Sequence, residues 1–148
     1  MTETATTPAA RSEDPVDVVA AILWRGGLFL AGLRPEGKAL AGYWEFPGGK
    51  VEPGEAIEAA LLREVAEELC VQPLQWEFWF AKEHRYPHLN VRLHFFHVPL
   101  FDGEPVGGEG QEIVWFDPRQ DFSTVNFLPV DRDIVAALKN LPYAADLK

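Results

Sequence analysis

The chain has 148 residues, a length that suits one domain rather than two. Hydrophobic residues make up 47% of it, which is enough to bury a core and excludes wholesale disorder. There are 13 lysines and arginines against 23 aspartates and glutamates, so the net charge is −10 and general binding to nucleic acid polymers is disfavoured. The single cysteine, Cys70, excludes an intramolecular disulfide and a cysteine-based zinc cluster, and it fits a reducing, cytoplasmic location.

The N-terminal segment differs in composition from the rest of the chain. Residues 1–15 are rich in Thr, Ala and Pro and carry almost nothing to bury, so we expect a disordered tail and one domain over residues 16–148. The tail has no apolar centre and does not resemble a signal peptide. No apolar run approaches the ~18–20 residues that span a bilayer, so no membrane partner is expected. Monomer and homodimer both remain open.

The first half of the domain begins with strand signals. Residues 17–24 are apolar and β-prone, residues 25–27 are a turn signal, and residues 28–33 predict a returning strand. The Pro, Gly and charges of residues 34–42 predict a loop. The aromatic stretch 43–46 predicts a short strand that ends at Pro-Gly-Gly.

A helix is predicted over residues 55–69, which contain neither Gly nor Pro. At ~100° per residue, six apolar side chains share one half of the helical wheel. These are Ile57, Leu61, Leu62, Val65, Ala66 and Leu69.

The second half predicts a long antiparallel pair, a short strand and a terminal helix. The paired strands are residues 74–85 and 90–101, and a Gly- and Pro-rich loop follows over residues 102–110. The short strand is 113–116, and the helix runs from about Asp131 to Asn140, with Ile134, Val135 and Leu138 on one face. Strands on both sides of one amphipathic helix, followed by another helix, predict a mixed sheet with helices packed on its faces.

Three acids in the first helix carry the chemical signal. Glu64, Glu67 and Glu68 are spaced i, i+3 and i+4, so they lie on one helix face, where like charges cost ~0.2–0.5 kcal/mol per pair. A bound divalent cation would reverse that sign, and an all-oxygen ligand set favours hard ions such as Mg²⁺ or Mn²⁺. A solvated acidic face is the alternative for the acids alone.

Three neighbouring features favour the metal interpretation. The loop from Phe46 to Gly49 precedes the helix and brings bare backbone close to the same face. Arg63 lies among the acids, where it can orient a carboxylate by charge-assisted hydrogen bonds. Glu55 lies near the helix start, where an acid complements the helix dipole.

The spacing Gly49-x5-Glu55-x7-Arg63-Glu64-Val65-x-Glu67-Glu68-x-Cys70-Val71 resembles the signature box of the Nudix hydrolases. Cys70 stands where the box has Gly, and every other fixed position matches. The resemblance runs from about Val18 to Leu138 and is closest to the MutT-like branch, which hydrolyses oxidised purine nucleoside triphosphates. It implies an α+β fold, a Nudix-like α/β/α sandwich whose mixed sheet packs against the box helix and the C-terminal helix.

Segments outside the box support this resemblance. They are Trp44-Glu-Phe-Pro-Gly-Gly-Lys50, the stretch from Gly103-Glu-Pro to Glu109-Gly-Gln111, and Leu128-Pro-Val-Asp-Arg132. A Gly just past a helix end usually adopts a left-handed conformation, and Cys70 in its place would cost ~1 kcal/mol if that conformation is kept, so the exact end of the helix stays open. For the side chain itself we expect a small, partly buried hydrophobe rather than a catalytic thiol.

The resemblance implies hydrolysis with Mg²⁺ or Mn²⁺ bound. It places the metal on Glu64, Glu67, Glu68 and the carbonyl of Gly49, with Glu64 also the base for the attacking water. Glu109 matches a family position on a loop that reaches the metal, although alone it could be an ordinary loop acid. Two further box residues, Glu55 and Arg63, would orient the ligands. The four histidines have no ligand-like placement.

For the substrate, the resemblance implies a nucleoside triphosphate cleaved to the monophosphate and pyrophosphate, as in nucleotide-pool sanitation. Asp131 matches a base-contacting position, with Asn126 as a rival if the alignment slips and a helix N-cap as the alternative role of Asp131. Phe46 matches a position that packs near the base, and Arg34 matches one that faces base or phosphate. Leu89 stands where the closest enzymes carry Arg, so one polar contact expected for oxidised guanine is missing.

Three other interpretations stay open at this point. The first is a Nudix hydrolase for CTP or a modified pyrimidine triphosphate. The second is a Nudix-like module that binds nucleotides without catalysis, although such modules usually lose box carboxylates that this chain keeps. The third is an acidic domain with no active site.

Overall fold

The computed structural model describes residues 14–146, so nearly all of the expected tail over residues 1–15 lies outside the described residues. Seven strands and two helices form this part of the chain. The strands are β1 (Val16–Arg25), β2 (Leu28–Leu33), β3 (Trp44–Glu45), β4 (Gly48–Lys50), β5 (Gln72–Tyr86), β6 (Leu89–Asp102) and β7 (Ile113–Phe116). The helices are α1 (Ile57–Leu69) and α2 (Pro129–Leu138), with short 3₁₀ segments at Gly108–Gly110 and Pro142–Asp146.

The sheet is mixed, as predicted. Its strand order is β3-β2-β1-β6-β5, with β4 on β1 and β7 on β2. Only the central pair, β1 and β6, is parallel among the strand pairs of the described residues, with Val16 opposite Val91 and Leu23 opposite Val98. The long β5–β6 hairpin is antiparallel, which confirms the predicted pair.

Strand β1 is buried on both faces, which explains why its sequence is a continuous apolar run rather than an alternation. Val19, Ala21 and Leu23 pack against α1. The intervening residues Ala20, Ile22 and Trp24 pack in the second core cluster with α2. The α+β sandwich and the two amphipathic helices are therefore confirmed.

Strand β4 was not predicted, because its glycines read as the end of β3. Its three residues pair with β1, with Gly49 opposite Val19. A Cβ at Gly48 would lie 1.9 Å from the Val19 carbonyl oxygen, so only glycine lets the two backbones approach this closely. Strand β4 therefore depends on a close backbone contact with β1 across the sheet, and the local sequence gives no sign of that contact.

Helix α1 starts two residues later than expected and leaves Glu55 in the preceding loop. Its N-cap, Ala56, has no side-chain hydrogen bond. Leu61, Val65 and Leu69 are buried as the periodicity predicted, whereas Ala66 is exposed. The buried arc is thus narrower than the predicted half-wheel.

The start of α2 was predicted wrongly. The helix begins at Pro129, not Asp131, and its N-cap is Leu128. Proline fits the first helical position because its fixed φ is helical and its missing N–H would have no partner there. Asp131 therefore lies inside the first turn and is not the cap, while Ile134, Val135 and Leu138 are buried as predicted.

Cys70 ends α1 in the left-handed conformation that a glycine usually adopts there, with φ 62° and ψ 31°. Its N–H donates to the Ala66 carbonyl at 3.0 Å. The thiol is exposed, so the expectation of a partly buried hydrophobe was wrong. In the described part of the chain no helix is long and apolar enough to cross a membrane.

We expect Cys70→Gly to stabilise the protein by roughly 1 kcal/mol. A side chain in the left-handed region costs ~1–2 kcal/mol, and glycine removes this strain. Only part of that gain is offset, because glycine loses more backbone entropy on folding than other residues. Urea unfolding monitored by tryptophan fluorescence measures the change. Cys70→Ala keeps the Cβ and controls for removal of the thiol. Equal stability of both variants would contradict the strain argument.

Candidate active site on helix α1 and strand β4

Two of the three predicted acids face β4. Glu68 Oε1 accepts a hydrogen bond from the Gly48 backbone N–H at 3.1 Å. The Glu64 carboxyl group lies against Gly49, where a Cβ would be 2.3 Å from Glu64 Cδ. The glycines of β4 thus make room for carboxylates one helical turn apart.

Arg63 ties the acids together. Its Nε donates to Glu55 Oε2 at 2.7 Å and its Nη2 to Glu55 Oε1 at 2.8 Å, a bidentate pair. Its Nη1 donates to Glu64 Oε2 at 2.9 Å and to Glu67 Oε1 at 3.3 Å. Nη2 also reaches the Lys50 carbonyl at 3.0 Å, so the guanidinium spans α1, β4 and the loop between them.

Glu55 is the anchor of this arrangement. Hydrogen bonds from Arg63 and then from the Glu52 backbone N–H lower the pKa of Glu55 to about 2. A carboxylate with two such donors is charged at any physiological pH. Glu55 therefore fixes Arg63 permanently, and Arg63 in turn orients Glu64.

The acid cluster retains capacity for a further ligand. Within residues 14–146, Glu64 Oε1, Glu67 Oε2 and Glu68 Oε2 accept no hydrogen bond. Free carboxylate oxygens beside the bare Gly48–Gly49 backbone form an all-oxygen donor set that suits a hard divalent cation. The residues present therefore fit a metal site.

The cluster is not a preformed metal centre. In the described part of the chain, no three acidic, histidine or cysteine side chains gather around one point. Glu67 is turned toward solvent, with 61% of its side chain exposed, and it shares Arg63 with Glu64. Binding a cation thus requires side-chain rotation, with the Glu67 carboxylate the most free to move.

Glu68 differs from its neighbours in its electrostatics. Burial raises the pKa of Glu68 to about 7, and the negative charges of Glu45 and Glu64 add to the rise. The hydrogen bond from Gly48 opposes it. A positive ion nearby would favour the ionised form.

A cavity of about 300 Å³ extends from Glu68 along β1 and β4 to the start of α2. Its volume lies at the lower end of the range for small-molecule sites. Side chains that line it are Arg34, Lys38, Glu45, Phe46, Glu68, Tyr86 and Asp131. The structure therefore brings three of the predicted substrate residues, Arg34, Phe46 and Asp131, into one cavity with Glu68 of the acid cluster.

Asp131 is the buried acid of this cavity, with 4% of its surface exposed. Burial raises its pKa to about 7, and the charge of Glu45 adds to the rise. The backbone N–H of Phe46 and the charge of Lys82 oppose it. Near neutral pH the carboxyl group can therefore either accept or donate a hydrogen bond.

Arg34 is held at the cavity wall. Its Nη1 donates to Glu45 Oε1 at 2.9 Å, and its Nε donates to the Ala39 carbonyl at 2.8 Å. These bonds fold the loop after β2 back on itself and leave Nη2 free of hydrogen bonds within residues 14–146. An anion entering the cavity would therefore meet one available guanidinium donor.

Asn126 is not brought to this cavity. Its backbone carbonyl oxygen accepts a hydrogen bond from the Trp44 backbone N–H at 2.7 Å, and this bond connects β3 to the segment before α2. Asn126 lines a different, larger cavity of about 640 Å³ between residues 118–127 and α2. That cavity holds none of the predicted acids, so we place the candidate site in the smaller one.

Glu109 lies next to α1 without a direct bond to its acids. The 3₁₀ segment packs on the helix end, where a Cβ at Gly108 would be 3.1 Å from the Glu68 carbonyl oxygen. Glu109 itself is exposed and has a φ of 55°, which is unusual for a residue with a side chain. Strained backbone of this kind is concentrated at functional sites.

Three residues with polar side chains that line the cavity, Lys38, Glu45 and Tyr86, were not predicted from the sequence. Each comes from a different element, so no spacing connects them. Glu45 alone had a local signal, a charge between two aromatic residues in a predicted strand. The predicted lack of a ligand role for the histidines stays a prediction, although His94 pairs with Asp17 at 2.9 Å and His97 accepts from Trp24 at 3.0 Å.

The chain is similar to known proteins over most of its length. The family model for the NUDIX domain matches residues 18–137. The chain is 40% identical to a CTP pyrophosphohydrolase of Escherichia coli over 71% of this chain and 78% of the relative. It is 35% identical to an Escherichia coli 8-oxo-dGTP diphosphatase over 69% of this chain and 78% of the relative.

A solved structure from work on MutT of Aliivibrio salmonicida and Vibrio cholerae shares the fold. It has a TM-score of 0.71 and 31% sequence identity, and the match covers 84% of this chain and 97% of the other. Together with the acid-bearing helix, these matches show that the chain belongs to the NUDIX domain family. It is a MutT-like hydrolase that acts on phosphoric anhydrides. Hydrolases of this family generally need a divalent cation.

Asp131 makes stability depend on pH. Because its pKa is raised from 3.8 to about 7 in the folded protein, the folded state binds more protons than the unfolded state within that window. The contribution of Asp131 to stability is therefore present at low pH and is lost as pH rises toward 7. We expect that the stability of the Asp131→Asn variant does not fall in this way, because asparagine has no proton to lose in this pH range.

Urea unfolding at pH 5 and pH 8 tests the expectation. The stability of Asp131→Asn relative to the unmodified protein should increase between the two pH values. Asp133→Asn, an exposed aspartate on the same helix, controls for the removal of one negative charge. Parallel pH curves for the unmodified protein and Asp131→Asn would rule out the raised pKa.

Proposed function

We propose that the protein is a Mg²⁺-dependent nucleoside triphosphate pyrophosphohydrolase that acts on oxidised purine deoxynucleotides such as 8-oxo-dGTP. The products would be the monophosphate and pyrophosphate, and the role would be sanitation of the nucleotide pool. One observation carries this proposal: a single cavity extends from Glu68, a carboxylate of the α1 acid cluster, to the buried acid Asp131.

The metal end of the cavity would bind the polyphosphate. Glu64, Glu67, Glu68 and the Gly49 carbonyl would hold Mg²⁺, or Mn²⁺ in its place, with Glu109 as a further oxygen ligand. Such an ion neutralises phosphate charge and lowers the pKa of bound water. A protein of net charge −10 otherwise repels the substrate, because Arg34 and Lys38 are the only basic side chains among the described residues that line the cavity.

The chain's own residues would supply the proton transfer and its geometry. Glu64 would accept a proton from the attacking water. Its hydrogen bond to Arg63 fixes its orientation, and Glu55 fixes Arg63. Because Arg63 already holds Glu64 in place, little conformational entropy would be lost when Glu64 meets the attacking water.

The far end of the cavity would read the base. Oxidation of guanine at C8 turns N7 from an acceptor into a donor. Asp131 would accept a hydrogen bond from such a donor, and Phe46, which lines the same cavity, would pack near the base. A buried donor left unpaired costs ~1–3 kcal/mol, which sets the scale of the discrimination.

A second candidate is CTP hydrolysis. It is favoured by the 40% identity to a CTP pyrophosphohydrolase and by Leu89, an apolar residue where the resemblance predicts arginine. A carboxyl group with a pKa of about 7 also offers both a donor and an acceptor, which suits the amino group and N3 of cytosine.

Turnover of 8-oxo-dGTP, dGTP and CTP, measured side by side with Mg²⁺ and Mn²⁺, tests the proposal. We expect 8-oxo-dGTP to have the highest kcat/KM and pyrophosphate to be the inorganic product. Preference for CTP would select the second candidate, and release of orthophosphate would contradict the proposed cleavage.

Asp131→Ala should reduce the ratio of kcat/KM for 8-oxo-dGTP to that for dGTP by about tenfold, since it removes the acceptor for N7–H. Asp131→Asn is the matched control, because it keeps an acceptor oxygen and should keep the preference. The two ratios, measured at pH 8, decide whether this oxygen reads the base. An unchanged ratio in Asp131→Ala would exclude Asp131 from recognition.

Glu67→Gln should lower Mg²⁺-dependent turnover by about 10²-fold or more while unfolding at the same urea concentration as the unmodified protein. The side chain is exposed and the change is isosteric, so loss of a cation ligand is the only large effect expected. Glu58→Gln, at an exposed position on the same helix, is the control and should retain activity. Undiminished turnover in Glu67→Gln would remove Glu67 from the metal site.

A further inference from the structure

The segment that carries Glu109 is intrinsically loose. Residues 103–111 connect β6 to β7 and contain four glycines, Gly103, Gly107, Gly108 and Gly110. Glycine loses more backbone entropy on ordering than any other residue. The segment therefore needs attachments if Glu109 is to be held at one place.

One attachment is the end of α1. The Val106 N–H donates to the Leu69 carbonyl at 3.0 Å. Gly103 lies beside Cys70, and Gly108 lies against the Glu68 carbonyl. These contacts fix the segment to the helix that carries the acid cluster.

The other attachment is Arg25, at the turn between β1 and β2. Its Nη1 and Nη2 donate to the two carboxylate oxygens of Glu104 at 2.9 and 3.0 Å. Its guanidinium lies 4.5 Å from the ring centre of Trp115 and 6.0 Å from that of Phe101. Arg25 thus contacts the residues just before, within and just after the glycine-rich segment.

The chemistry of this attachment requires arginine. The rings of Phe101 and Trp115, which both lie within 6.0 Å of the guanidinium carbon, are nearly parallel to each other at 14°. The planar guanidinium group can stack on aromatic rings and donate to both carboxylate oxygens at once, whereas the ammonium group of lysine cannot. The ion pair is exposed, with 46% and 72% of the two side chains accessible, so it adds little to global stability.

We propose that Arg25 is a positioning residue for the hydrolysis reaction, which holds the 103–111 segment through Glu104 so that Glu109 stays beside α1. The inference rests on the proposed role of Glu109 at the metal site. Arg25 itself touches neither the acid cluster nor the cavity. Its effect on turnover passes through Glu109 alone.

Two variants, Arg25→Lys and Glu104→Gln, remove the bidentate ion pair with little change of volume. Arg92→Lys and Glu83→Gln are matched controls, because Arg92 and Glu83 form another exposed pair at 2.9 Å on the β5–β6 hairpin. Hydrogen–deuterium exchange of residues 103–111 is measured without nucleotide. The kcat of each variant is then measured with Mg²⁺ and 8-oxo-dGTP, in the chain with Glu109 and in the Glu109→Gln chain.

We expect faster exchange over residues 103–111 in Arg25→Lys and Glu104→Gln and unchanged exchange there in the control variants. The kcat should fall about threefold to tenfold when Glu109 is present and should not fall further in Glu109→Gln. Unchanged exchange, or an equal fall in both chains, would overturn the inference. If no nucleotide is hydrolysed by the unmodified protein, the proposed function fails, and the exchange data still decide whether Arg25 orders the segment.

Discussion

The candidate site depends on one close contact, that of a carboxylate-bearing helix with bare glycine backbone. Gly48 donates its N–H to Glu68, and the missing side chain of Gly49 makes room for Glu64. The same glycines let β4 lie on β1, whose two buried faces join the halves of the core. A methyl group at either position would meet the Val19 carbonyl or the Glu64 carboxyl group, so sheet pairing and site geometry share one constraint.

The electrostatics of the site is organised around shared countercharges. Arg63 donates hydrogen bonds to three glutamates, and Arg34 forms an ion pair with Glu45 at the cavity wall. Burial keeps the pKa of Glu68 and Asp131 near 7, which lowers the negative charge around the cavity at neutral pH. In the proposed function, a cation would have to offset the remaining carboxylates before a polyphosphate could bind, so substrate binding would be linked to metal binding.

The sequence predicted those features that rest on local residue patterns. The hairpin strands follow from apolar, β-prone runs, and the α1 arc and the acid trio follow from a period of 3.6 residues. All were found within two residues of their expected bounds except the Ala66 edge of the arc. Features set by contacts between distant elements were missed: β4, the burial of Asp131, and the meeting of Lys38, Glu45 and Tyr86. Asn126 shows the same limit, since a shift of five residues along the chain places it in another cavity.

The parallel pairing of β1 with β6 has a consequence for how the chain folds. Val16 pairs with Val91, which lies 75 positions later in the sequence (91 − 16 = 75). Contacts this remote form late and slow the search, whereas α1 and the β5–β6 hairpin can form locally. During synthesis β2, β4 and α1 are available to β1 first, but the edge of β1 that pairs with β6 stays unpaired until β6 has left the ribosome. We expect this interval to be the period of greatest exposure to aggregation and to proteases.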